Sequence, residues 1–140
     1  MISLLNRYPN LYKIIPGLLI LWTLLTFYLT LSPSDYLASA GLFQYDKIGH
    51  FAMCGGWTGL IGLYLMVYKQ NHTINLLPLI IIGLSFGAFI ELLQLTLPIN
   101  REPSFMDMVA NSLGSLTAWG VLRHIQNRLI QNKKDAWQHY

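Results

Sequence analysis

The 140-residue chain is 54% hydrophobic and 11% charged, with a mean hydropathy of +0.43; its length allows one domain, and its composition excludes an ordinary water-soluble one. A formal net charge of +3 does not point to nucleic acid, because the basic residues flank apolar stretches and form no stripe of their own. The one cysteine, Cys54, sits inside an apolar run and reads as a small core residue, which excludes a disulfide framework and any cysteine-based metal site.

Arg7, Tyr8, Tyr12 and Lys13 open the chain as interfacial anchors. Apolar runs follow at about 14–32, 48–68, 76–97 and 105–122, each close to the ~20 residues that cross a ~30 Å hydrocarbon core. The last is the shortest and most polar. Ser32-Pro33-Ser34-Asp35, Lys69-Gln70-Asn71-His72 and Pro98-Ile99-Asn100-Arg101-Glu102-Pro103 supply turn chemistry between them. Backbone groups in lipid must be satisfied within each segment, and short connections join antiparallel neighbours. The expected fold is therefore all-α: a polytopic membrane protein with four transmembrane helices in an antiparallel bundle, one domain over 1–140. The basic tail 123–140, with Lys133, Lys134, Trp137 and Tyr140, reads as cytoplasmic and interfacial.

Ala38-Ser39-Ala40 has the small-residue pattern of a signal-peptide cleavage site. The preceding run is longer than the usual ~7–15-residue signal core and Ala40 lies well past its end, so a retained first helix is expected. Four crossings put Arg7, Lys13, Lys69, Arg123, Arg128, Lys133 and Lys134 on one side and only Lys47 and Arg101 on the other. That bias predicts both termini in the cytoplasm, with the polar residues near the outer leaflet.

Gly55-Gly56-Trp57-Thr58-Gly59 with Gly62, Gly83-xxx-Gly87 and Ala110-xxx-Gly114-xxx-Ala118 are small-residue faces at helical spacing, which let membrane helices approach closely. Glu91 continues the Gly83, Gly87 face at i+8, so it points inward. The first run carries no comparable stripe. Helices two, three and four are expected to form a site and helix one to shield it.

Glu91 precedes Pro98 by seven residues, about 10 Å at ~1.5 Å per residue, where a lone carboxylate is costly. It should be protonated or paired, with Lys47, His50 or Arg101 as partner and Gln94 one turn outward; a buried structural ion pair is the bland reading. Asp46 fits the start of helix two as an N-cap, and Ser104-Phe105-Met106-Asp107 fits a capping box. Asn111 is a turn deeper than Asp107, where an unpaired amide is costly. His50, one turn inside Asp46, is a ligand or a satisfied structural histidine. Arg101 could clamp a phosphate or carboxylate, or pair with Glu91 or Glu102. His72, His124 and His139 carry no assigned role.

Asp46-Lys47-xx-His50-Phe51, Glu91-xx-Gln94 and Arg101-xx-Ser104-xx-Asp107-xxx-Asn111-xx-Gly114 together resemble the VanZ-like family of small bacterial membrane proteins, over about 46–118. The order and spacing across three helices carry the likeness. Ala118 stands where the family usually has a second glycine, and the Gly55-Gly56 pair is less usual. The resemblance implies a shared polar site at Asp46, Lys47, His50, Glu91, Gln94, Arg101, Asp107 and Asn111. It also implies an association with low-level resistance to the lipoglycopeptide teicoplanin, with no reaction attached.

The expected ligand set is Asp46, Lys47, His50, Glu91, Gln94, Arg101, Ser104, Asp107 and Asn111. The expected partner is a membrane lipid, a lipid-linked envelope component or a lipoglycopeptide, and not nucleic acid. An alternative is a hydrolase or transferase on lipid-linked phosphates, with His50, Glu91 and Asp107 as catalytic candidates. Another is a structural subunit whose charges lock three helices together. No cofactor or metal is expected; His50, Glu91 and Asp107 could hold a divalent ion only where geometry brings them together.

Overall fold

A computed structural model describes residues 11–33, 46–68, 74–99 and 104–137. Arg7, Ala38-Ser39-Ala40, Lys69, Arg101 and Glu102 lie outside these residues, as do the side chains of Lys133 and Lys134. The described residues form four helices and no strand: α1 Leu11–Leu31, α2 Asp46–Tyr68, α3 Leu77–Thr96 and α4 Phe105–Trp137. The first three are long and apolar enough to cross a membrane. In α4 the apolar run is interrupted by Asp107, Asn111, Ser112 and Ser115.

Large apolar side chains cover the outside, among them Leu21, Leu24, Ile81, Leu95 and Phe105, each more than 60% exposed. Thr26, His50, Thr58, Gln94, Asn111, Ser115 and Gln126 are almost wholly buried. Such an exchange of apolar outside for polar inside is disfavoured in water and suits a hydrocarbon solvent, where polar groups must find partners within the protein.

Helix ends follow local chemistry. The Asn75 side-chain carbonyl accepts the Leu77 N–H at 3.0 Å, and Pro78 sits in the first turn of α3, where its missing N–H costs nothing. Pro98 follows α3's last residues and stops it. The apolar run alone predicts an end to the fourth helix near residue 122; α4 instead continues to Trp137. No glycine or proline follows to break it, and Leu122, Gln126 and Leu129 extend its buried stripe at helical spacing. Residues 123–137 are thus helix rather than an unfolded tail.

The two ends of the molecule differ in kind. Where α2 ends and α3 begins, Met66, Leu76, Leu79, Leu122 and Leu129 form a buried apolar cluster, tied by Gln126, which donates to the Ile74 carbonyl at 2.7 Å. At the other end, the start of α2, the end of α3 and the start of α4 bring polar side chains together. Between them α2 and α4 form the most extensive contact of the fold. A Cβ at Gly114 would collide with the Phe51 carbonyl, and Gly55 backs onto Gly114. The Gly56 beside it faces the Trp22 ring of α1, so the glycine pair serves two different neighbours.

α1 does more than shield. Trp22 donates from Nε1 to the Met53 carbonyl at 3.0 Å, and Trp57 donates to Thr23 Oγ1 at 3.0 Å. Thr23, Thr26 and Thr30 return their hydroxyls to carbonyls one turn back, at 2.7, 2.8 and 2.7 Å. This satisfied polar stripe reads in sequence as ordinary span residues, which is why helix one was expected to lack one.

Substituting Gly114→Leu should lower thermal stability in detergent by about 1–3 kcal/mol, the usual cost of overpacking a close contact. Gly120→Ala, where an added Cβ meets nothing within 4 Å, should leave it unchanged or slightly raised.

Candidate polar site at the α2, α3 and α4 junction

Glu91 anchors the site. It lies one turn past Gly87 on α3, and an added Cβ at Gly87 would press on the Asn111 side chain at 2.8 Å; the missing side chain lets α4 come close enough for Asn111 to reach the carboxylate. Asn111 donates from Nδ2 to Glu91 Oε1 at 3.2 Å, and the backbone N–H of Ser104 donates to Oε2 at 3.3 Å. Both carboxylate oxygens are therefore held by α4 and the residue that caps it.

That arrangement alters the expected capping box. The Ser104 hydroxyl caps α4 by accepting the Met106 N–H at 3.2 Å. In a capping box the carboxylate three residues on would accept the cap's own N–H. Glu91 takes that role from another helix, which leaves Asp107 free to face α2. There Lys47 Nζ lies 3.6 Å from Asp107 Oδ1, with the lysine side chain 62% exposed and the aspartate 6%.

His50 joins the two halves. With Asn111 Nδ2 committed to Glu91, the amide oxygen Oδ1 faces His50 Nδ1 at 3.2 Å. An amide oxygen only accepts, so Nδ1 carries the hydrogen. Glu91 Oε1 lies 3.7 Å from the same nitrogen. The opposite nitrogen, Nε2, points to Asp46 Oδ1 at 3.8 Å. The result is one continuous line from a deep carboxylate through an amide and an imidazole to two carboxylates and an ammonium at the helix starts.

The structure thus brings together Asp46, Lys47, His50, Glu91, Ser104, Asp107 and Asn111. Gln94 does not join them: it turns to α1 and donates to the Thr30 carbonyl at 2.8 Å, one turn from Glu91 but on another face. Arg101 is outside the described residues. Glu91 was expected against Lys47, His50 or Arg101; it has His50 nearby, but its hydrogen bonds come from Asn111 and Ser104, and Lys47 pairs with Asp107. The set His50, Glu91 and Asp107 does not share one point, because Glu91 lies on the Nδ1 side of the ring. Asp46, His50 and Asp107 do, with one ligand atom from each lying within 4.8 Å of the others. Nothing in spacing alone shows which ring nitrogen faces which helix. The buried Thr58 to Ser115 hydrogen bond, 3.2 Å, one helical turn or so below the site, was also missed; Thr58 sits in a small-residue face that reads as packing, and Ser115 falls between Gly114 and Ala118 with no signal of its own.

Replacing Asn111 with Ala strands both the Glu91 carboxylate and His50 Nδ1, at ~1–3 kcal/mol for each unsatisfied buried group. Thermal unfolding in detergent should report a loss of about 2–6 kcal/mol. Ser112→Ala, which removes only a hydroxyl bonded to its own helix at Met108, should cost less than about 0.5 kcal/mol.

Residues 10–127 match the family model described as VanZ/LLP1. No curated protein and no solved structure matches the chain. With the family model matching most of the chain and three helices long and apolar enough to cross a membrane, the chain belongs to the VanZ/LLP1 family of membrane proteins.

Proposed function

We propose that this chain is a multi-pass protein of the bacterial cytoplasmic membrane whose polar cluster faces the outer leaflet. There it binds an anionic lipid head group, or the lipid anchor of a lipoglycopeptide, and so lowers susceptibility to teicoplanin-type antibiotics. The observation that carries this reading is Lys47, a largely exposed ammonium at the mouth of a buried polar line that ends in Glu91. An ionisable network inside membrane helices marks a working site more often than not, and an exposed lysine above it is placed to meet an anion.

Two further features support it. The first half of α4 buries Asp107, Asn111 and Ser115 against its neighbours, so a fourth crossing in an up-and-down bundle can hide its polar residues from lipid. The distribution of basic residues then favours both termini in the cytoplasm. An apolar groove of about 290 Å³ runs along the seam of α2 and α4, lined by Phe51, Ala52, Gly59, Leu63 and Ala118 among others. It begins at the residues that follow His50, so a head group at the polar cluster could lay an acyl chain along it. The resistance role comes from the family's name, and the head-group chemistry from this site.

In nanodiscs, Lys47→Ala should weaken the preference for anionic over zwitterionic lipid about fivefold, the ~1 kcal/mol that a basic residue contributes beside an anionic surface. In a bacterium expressing the chain, Glu91→Gln should restore teicoplanin susceptibility at unchanged protein level. Unaltered lipid preference together with unaltered susceptibility would contradict the proposal.

A further inference from the structure

We infer that Asp46, His50 and Asp107 form a binding site for one divalent transition-series ion, such as Zn²⁺ or Mn²⁺. The three residues come from the starts of two helices, and one ligand atom of each lies within 4.8 Å of the others. Two of those side chains are buried, and no hydrogen bond reaches His50 Nε2 or Asp107 Oδ1.

The imidazole supplies the decisive geometry. Its Nδ1 hydrogen is directed at Asn111 Oδ1, so in the neutral ring Nε2 is a bare lone pair. That lone pair faces Asp46 Oδ1 at 3.8 Å, too far for a hydrogen bond and unfavourable without a positive charge between them. Ligand atoms ~2.0–2.2 Å from a tetrahedral ion sit roughly 3.3–3.6 Å from one another, so small side-chain rotations would close the set. Metal-bound histidines characteristically donate their other ring N–H to an oxygen acceptor, which fixes tautomer and orientation; here Asn111, itself held by Glu91, does this. One imidazole with two carboxylates suits zinc or manganese better than magnesium, which favours all-oxygen shells.

Lys47 is the competitor. Its ammonium lies 3.6 Å from Asp107 Oδ1, on the carboxylate that the ion would use, and its exposed side chain can swing away. Three protein ligands leave a further position for water or an anion. Use of that position by a lipid phosphate rests on the head-group reading above; the ion itself does not.

The test uses the full-length protein, purified in detergent without added lipid, stripped with EDTA and titrated with Zn²⁺ by calorimetry and with Co²⁺ by visible absorption. One equivalent per chain is expected, with a nitrogen-ligand Co²⁺ spectrum. Asp46→Asn, which keeps a polar side chain at the helix start, should weaken binding by more than the roughly 10–100-fold typical of losing an outer-shell partner. His50→Ala should abolish the Co²⁺ spectrum. Lys47→Ala should tighten binding roughly two- to fivefold, the worth of an exposed ion pair removed from competition. Absence of binding overturns the inference, as does binding that Asp46→Asn leaves unchanged, which would place the ion elsewhere. If His50→Ala does not fold, the Asp46→Asn and Lys47→Ala titrations decide the matter. Metal binding in the absence of lipid, with lipid preference unaffected by Lys47→Ala, would uphold the ion and reject the head-group reading.

Discussion

A carboxylate placed between three helices has to be compensated from within the protein, and Glu91 sets much of the local structure by that requirement. Its two oxygens accept from Asn111 and from the N–H of Ser104. The first bond orients the Asn111 amide; the second takes over half of α4's expected cap. From those two commitments follow the His50 tautomer and the direction of Asp107 toward α2. The close approach that permits them depends on Gly87, where any side chain would press against Asn111.

The network is polarised. At its deep end each oxygen of Glu91 accepts a hydrogen bond, whereas its outer end holds two carboxylates, an imidazole nitrogen without a hydrogen-bond partner and a largely exposed ammonium. A purely structural lock gains nothing from leaving buried groups incompletely paired at one end. The incomplete end also lies at the helix starts, on the opposite end of the molecule from the apolar cluster of Met66, Leu76, Leu79, Leu122 and Leu129. The apolar end packs the helices through buried side chains, and two buried atoms that lack hydrogen-bond partners, His50 Nε2 and Asp107 Oδ1, sit at the polar end.

Much of this was legible in the sequence because membrane helices separate their signals. Four apolar runs read as spans, of which three are helices long and apolar enough to cross a membrane while the polar residues of α4 dilute the fourth, and the Gly83, Gly87, Glu91 register placed the carboxylate inward. Asp46, His50, Asp107 and Asn111 were assembled from helical spacing and from the VanZ-like pattern. Other features were not legible for definite reasons. Gln94 shares Glu91's helix and lies one turn away, yet the small rotation between i and i+3 turns it to α1, and the identity of the helix it meets is a tertiary fact. The threonine stripe of α1 satisfies itself through its own carbonyls, so it leaves no mark in hydropathy. Helix α4 outlasts its apolar run because Leu122, Gln126 and Leu129 keep the period while their neighbours are charged. The capping box matched its motif, but a carboxylate from another helix competed for the same N–H and won.

The tautomer of His50 is where these inferences meet, since every link from Glu91 outward depends on which ring nitrogen faces Asn111 with its hydrogen. Nitrogen-15 NMR of the chain in lipid, with histidine labelled and His50 assigned, reads this directly. The account predicts a protonated Nδ1 hydrogen-bonded to the Asn111 amide oxygen and, in metal-free neutral protein, a bare Nε2. A bare Nδ1 with the hydrogen on Nε2 would contradict it.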